Sequence, residues 1–203
     1  MIEQIQWLGQ SSFNIQGPPL ISINPWRVPR GVFHADVILI SHNRCERFSL
    51  ADIDKLRGPN TKVIACETAA REIEDCVVLR PWQSLTIDRA CIKAVPAYSS
   101  TTGNRVTEDT GLGFIISLNF FDIYYTGDTG FIPEIQHIRP DIAILPISSD
   151  GAMTLKDATQ VVKVLRPRWV IPGSWGKMTE ADTNAFRREV AAFTEVIMLP
   201  RQM

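Results

Sequence analysis

"ADVILISHNRCERF", residues 35–48, joins an apolar, strand-like run to a polar turn. A loop that follows directly on such a strand is where an enzyme sets ligands on a rigid support. It opens like a metal-binding loop, with His42, and then supplies Arg44, Cys45, Glu46 and Arg47. Two cations stand where ligands for a cation would be useful. Fold and function both turn on how this loop is read.

Outward from it, short strand-like runs fill the N-terminal half: residues 2–8, 12–16, 20–24 and 36–41, punctuated by Gly17-Pro18-Pro19 and by the turn formers of 25–31. Ser49-x-x-Asp52 is a capping-box pattern that opens a helix, with Gly58-Pro59 as its stop. Residues 62–66 read as a strand, 67–75 as a short helix, and 77–80, 84–88 and 91–98 as further strands. The polar, turn-rich stretch 99–111 reads as a loop near the working face. The second half repeats the scheme. Residues 112–118 and 121–126 form a hairpin pattern, and 141–147 and 168–172 are buried strands. Helices start at Thr154-x-x-Asp157 and Thr179-x-x-Asp182, and 195–199 closes as a strand. An initial meander followed by alternating strands and helices predicts two packed sheets with helices outside.

The chain has 203 residues, enough for one sizeable core. A 45% apolar and 21% charged composition excludes a disordered chain, and a net charge of −1 gives nothing to recruit nucleic acid or an anionic membrane. The N-terminus lacks the basic-then-apolar pattern of a secretory signal, and Cys45, Cys66, Cys76 and Cys91 show no framework spacing. A cytoplasmic protein with free thiols is the expectation.

"WLGQSSFNI" (7–15), "INPW" (23–26), "ADVILISH" (35–42), "VPAY" (95–98), "YYTGDTG" (124–130), "ILPI" (144–147) and "VIPGSWG" (170–176) occur in the order found in one family. Over nearly its whole length the chain resembles the metallo-β-lactamase superfamily, specifically the small branch similar to ascorbate-6-phosphate lactonase. The resemblance implies an α/β fold, a four-layer αββα sandwich, as a single domain over residues 1–203. It also implies a site at the edge where the sheets meet, formed by loops 42–48, 99–110, 127–131 and 173–178.

Relatives use one or two divalent metals, usually zinc, held first by a His-x-His-x-Asp-His loop. Aligned to that pattern, His42 matches the first His, Arg44 replaces the second, Glu46 replaces the Asp and Arg47 replaces the last His. A guanidinium has no lone pair to offer. The other histidines are His34 and His137, so both distal His ligands are absent, and Ser174 stands before Trp175-Gly176 where the last one belongs. Asp128 keeps the place of the bridging carboxylate. Asn24 replaces the supporting Asp of the family's "IDPW"-like motif, and Gln10 the His before "SSF".

The expectation is therefore a family member that has lost most of its metal ligands and expects no cofactor. It would be a non-catalytic homologue with a ligand-binding, regulatory or structural role. Its former pocket would consist of His42, Arg44, Glu46, Arg47, Asp128 and Ser174, with Arg44 and Arg47 paired to Asp128 and Glu46 in place of the metals. The alternatives are a hydrolase of a phosphorylated or lactone substrate, using a residual metal at His42, Cys45 or Glu46, and Asp128 or no metal at all, and a protein-interaction module. A Ser174–His42 nucleophilic pair is the metal-free variant. Trp82, Tyr98 and Trp175 either line the pocket or pack. A small anionic ligand and self-association are the partners this reading admits, with neither nucleic acid nor membrane.

Overall fold

The computed structural model describes residues 1–43, 48–98, 111–147, 153–173 and 179–202. Two sheets carry the chain. The first runs β1 (Ile5–Gly9), β2 (Ser12–Ile15), β3 (Ile21–Ile23), β4 (Ala35–Ile40), β5 (Arg57–Ala65) and β6 (Cys76–Val78), in chain order across the sheet. The second contains β7 (Ser84–Ile87), β8 (Ala90–Ala97), β9 (Gly111–Leu118), β10 (Phe121–Tyr125), β11 (Ile142–Pro146), β12 (Trp169–Gly173) and β13 (Glu195–Val196), again in sequential order. Each sheet begins antiparallel and ends parallel, which is how the second half repeats the first.

Period-2 alternation sorts the second sheet's side chains between two cores. Ile123, Tyr125, Ile142, Ile144 and Ile171 join the core that also holds the first sheet's Phe13, Ile15, Ile23 and Leu39. Their neighbours Tyr124, Ala143, Leu145 and Val170 face the opposite way, packing with Val161, Val162, Leu165 and Phe186. Those last four lie on α3 (Leu155–Leu165) and α4 (Glu180–Val190), each started by a complete capping box, Thr154 with Asp157 and Thr179 with Asp182. On the first sheet, α1 (Leu50–Leu56) buries Ile53 and Leu56, and α2 (Glu67–Ala70) buries Ala69. Helix, sheet, sheet, helix is the expected layering. Among the described residues no helix is long and apolar enough to cross a membrane.

Several boundaries differ from expectation: Ile2–Gln4 is a 3-10 turn ahead of β1, β13 stops at Val196, and two further cases have a local cause. The helix read over 67–75 stops after Ala70; Cys66 gives it no side-chain cap, and Asp75 turns the chain with φ +48 before β6. The strand read from Lys62 begins at Arg57: α1 ends at Leu56, just before Gly58-Pro59 as expected, but that pair lies within the strand, in an irregularity where the β4–β5 register shifts between Ala35 and Val37. Asp52 does more than cap. Buried, it accepts the amides of Arg27 (2.8 Å) and Val28 (3.2 Å) and the ammonium of Lys55 (2.8 Å), tying the 25–28 turn to α1. Burial alone would raise its pKa, but these hydrogen bonds and the Lys55 charge outweigh it and hold the carboxyl below its ordinary value.

Candidate functional site

The sheets join at the carboxyl end of β4. Leu112 N–H on β9 donates to Ser41 O at 2.8 Å, so the backbone just before His42 is hydrogen-bonded across the two layers. A side chain at Gly111 would meet that carbonyl at 2.8 Å, which is why this strand start carries glycine.

An uncharged network fixes the corner. Asn24, buried and held at φ +44, follows β3; its own N–H donates to Leu39 O at 2.9 Å. Its Oδ1 accepts Ser41 N–H (2.9 Å), and its Nδ2 donates to Ser41 Oγ and to the Tyr125 hydroxyl, both at 2.8 Å. Tyr125 in turn donates to Ser11 O at 3.1 Å. Ser41 Oγ lies 2.7 Å from His42 Nδ1, and His42 Nε2 is buried. Four segments that are distant in sequence thereby set one imidazole.

Asp128 sits in the bend after β10. Gly127 makes that bend with φ +69, and a Cβ there would collide with Leu112 O. The bend is clamped from the other side: Thr129 Oγ1 donates to Tyr98 O (2.9 Å) and accepts Tyr98 N–H (3.2 Å), while Gly130 N–H also donates to Tyr98 O (3.0 Å). The Tyr98 hydroxyl donates to Glu134 at 2.9 Å, and burial, then that carboxylate, raise its pKa. Tyr125 is pushed up to about 12, chiefly by burial and further by the charge of Asp128, against the lowering effect of its hydrogen bonds with Asn24, Ser41 and Ser11. It stays a neutral hydroxyl. Leu112 joins the two halves of this edge: its N–H bonds the carbonyl just before His42, and its own carbonyl lies against the Gly127 bend that carries Asp128.

Of the other expected pocket residues, Arg44, Glu46, Arg47 and Ser174 lie outside the described residues, as do Cys45 and Trp175. The proposed Arg–carboxylate replacement lies there too. Trp82 is exposed, with the Lys93 ammonium 5.6 Å from its ring centroid, while Tyr98 belongs to the clamp. His34 and His137 are exposed, as expected. Among the described residues no three His, Cys, Asp or Glu side chains gather into a metal cluster. A separate cavity of about 490 Å³ opens between β1–β3 and the 26–33 turn; none of the expected site residues lines it.

The family model described as "Beta-lactamase superfamily domain" matches residues 4–174. The chain belongs to the metallo-β-lactamase superfamily. A metal-dependent hydrolase of Pyrococcus abyssi is 27% identical over 218 aligned positions, covering 97% of this chain and 96% of that one. A metal-dependent hydrolase of Pelotomaculum thermopropionicum is 28% identical, covering 94% and 93%. Among solved structures, the metallo hydrolase Igni18 from Ignicoccus hospitalis superposes with a TM-score of 0.80 at 22% identity, covering 98% of this chain and 95% of that one.

These relatives correct two expectations. The superfamily member was read as a non-catalytic homologue with no cofactor, yet end-to-end relatives are named metal-dependent hydrolases. The reading counted the histidines lost; the chemistry of metal sites counts the donors kept. A catalytic metal needs only about three protein donors, with water or substrate completing its shell. His42 and Asp128 supply imidazole and carboxylate, and the loop adds Cys45 and Glu46 in sequence. Those donors suit zinc, iron or manganese in kind.

The network itself escaped the sequence. Asn24 drew notice only as a departure from Asp, while Ser41, Tyr125 and Ser11 are single polar residues whose partners lie up to 114 positions away. One signal was available: Tyr124 and Tyr125 are adjacent on a strand, so their rings must face opposite sides.

Proposed function

We propose that this protein is a metal-dependent hydrolase of its superfamily, with its active edge at His42 and Asp128. The observation that carries the reading is the construction of that edge. A buried imidazole and a clamped carboxylate bend are set by hydrogen bonds from both sheets, at the place where superfamily members hold metal. Relatives named as metal-dependent hydrolases over nearly the whole chain support it. His42 and Asp128, with Glu46 or Cys45 from the loop, would hold one divalent ion. When bound, such an ion supplies a Lewis acid and a water acidic enough to deliver hydroxide near neutral pH. The chain's own residues supply position: Ser41 and Asn24 orient His42, and Thr129 with the backbone of Tyr98 fixes the bend that carries Asp128. A phosphorylated or lactone substrate is the class we assign.

The test strips metal with a chelator and reloads it with zinc, manganese or iron. Metal at a hundred times its Kd should stabilise the fold by about 2.7 kcal/mol, a rise of roughly 5–11 °C in melting temperature for a chain of this size. Hydrolysis of a phosphomonoester or a lactone should follow the metal and be lost in His42→Ala and Asp128→Asn. A protein whose stability ignores all three ions and which turns over neither substrate class refutes the proposal.

A further inference from the structure

The cavity of about 490 Å³ on the outer side of the first sheet has a floor that strand period dictates. Phe13, Ile15, Ile21 and Ile23 turn into the core, so their neighbours along the strands face the other way. Among those neighbours are Gln6, Asn14 and Ser22, which register places side by side in one row across β1, β2 and β3. The 26–33 turn covers this row, yet the row is polar. Asn14 Oδ1 and Ser22 Oγ lie buried on it with no hydrogen-bond partner among the protein's own groups, and Ser22 is only 1% exposed. Buried polar atoms are nearly always paired. The row therefore marks a place where a molecule from outside completes the bonding.

The walls say what kind of molecule fits. The turn sets Trp26 and Phe33 over the row, and Phe33 keeps 90% of its surface in solvent although it lines the cavity. An apolar ring at the mouth of a part-polar cavity is surface for a ligand's apolar body to cover. Two cations complete the lining: Arg27 from the turn, and Arg201 from the segment bridged to Trp7 on β1. Arg201 spends its Nε on Leu8 O at 3.2 Å. Among the described residues no acidic side chain lines the cavity, and neither guanidinium has a carboxylate partner. A guanidinium fork suits a flat carboxylate.

We propose that this cavity is a second binding site, separate from the His42–Asp128 edge, for a small aromatic carboxylate bearing a hydroxyl. The carboxylate meets Arg27 and Arg201 at the mouth, the apolar body lies against Trp26 and Phe33, and the hydroxyl reaches the Asn14–Ser22 row. The cavity is of the size that small-molecule sites have. The site stands whether or not the edge hydrolyses anything, since it shares none of the expected edge residues.

Calorimetric titration of the full chain in chelator with 6-hydroxy-2-naphthoate tests each part. One molecule should bind per chain. Removing the charge, in 6-hydroxy-2-naphthamide, or the hydroxyl, in 2-naphthoate, should each weaken binding by roughly tenfold, the worth of one good hydrogen bond. Backbone 1H–15N spectra should shift at Asn14, Ser22 and Phe33 and stay still at His42. Arg27→Gln, a change on an exposed side chain, should weaken both naphthoates and spare the naphthamide. Ser22→Ala removes an unpaired hydroxyl, so it should not lower the melting temperature, and it should weaken only the compounds that carry the hydroxyl. Three results on the wild type overturn the proposal, and none needs a variant to fold. No saturable binding means that water alone completes the row. Equal affinity for acid and amide removes the role of the two arginines. Shifts centred on His42 place the ligand at the edge instead.

Discussion

Replacing Asn24 with alanine should be among the more damaging single changes in the protein. It strands the Ser41 amide, fully buried at the joint between the sheets, and an unsatisfied buried donor costs about 1–3 kcal/mol. Ser41 Oγ and Tyr125 each lose a donated bond, worth roughly 0.5–1.5 kcal/mol apiece. The backbone adds its share. Asn24 holds φ +44, a left-handed conformation that asparagine tolerates and alanine pays for at about 1 kcal/mol. The total is about 5 kcal/mol, or a fall of roughly 10–20 °C in melting temperature for a chain of this length. Asn24→Gly loses the same hydrogen bonds without the conformational strain, so it should lie about 1 kcal/mol above Asn24→Ala. Urea denaturation followed by far-ultraviolet circular dichroism measures both. A loss below about 1.5 kcal/mol for alanine means that water or neighbouring groups satisfy Ser41 N–H. A glycine variant no better than alanine would remove the strain argument.

Further perturbations probe other supports of the edge. Asp52→Ala should cost about 3 kcal/mol at neutral pH, because the Arg27 and Val28 amides and Lys55 lose their acceptor. The folded-state pKa of Asp52 is lowered, so its contribution is complete above the ordinary Asp value and is lost as pH falls through the depressed one. The gap between wild type and variant in urea should therefore narrow well below pH 4, and a gap undiminished at pH 2 contradicts the assignment. Gly127→Ala places a Cβ against Leu112 O at positive φ, so a loss of about 2–4 kcal/mol with weakened metal uptake is expected, read by thermal unfolding with and without zinc. Thr129→Val removes both side-chain bonds to Tyr98; about 2 kcal/mol should go, and hydrogen exchange at Tyr98 N–H should accelerate.

The layers were readable because strand and helix periods differ and because capping boxes announce themselves. Thr154-x-x-Asp157 and Thr179-x-x-Asp182 start helices where expected. Asp75 shows the limit: nothing in "ETAAREIED" marks the residue whose left-handed φ ends the segment, since that choice is made by the approach of β6 to β5. At the site, His42 and Asp128 were legible because each follows a strand in a recognisable block. Their supports were not. A hydrogen bond between Asn24 and Tyr125 spans 101 positions, and no local pattern encodes that distance. Counting lost histidines also misled, because ligand number alone does not separate a weakened metal site from an abolished one.

The network's lack of charge means that these residues hold the edge together without needing an ion. Asn24, Ser41, Tyr125 and Ser11 satisfy one another with neutral donors and acceptors, so these four residues add no buried charge in want of a counter-ion. A carboxylate at position 24 would behave oppositely. Its three available donors, Ser41 N–H, the Ser41 hydroxyl and the Tyr125 hydroxyl, offset only part of the several kcal/mol that burying an anion costs. Asn24→Asp should thus be less stable than wild type by about 1–3 kcal/mol without metal, yet gain more from zinc, since a nearby cation offsets the buried anion. Melting curves at rising zinc concentration should cross. If the variant is already the more stable protein in chelator, the buried-charge argument fails, because asparagine would then confer no advantage on the metal-free edge.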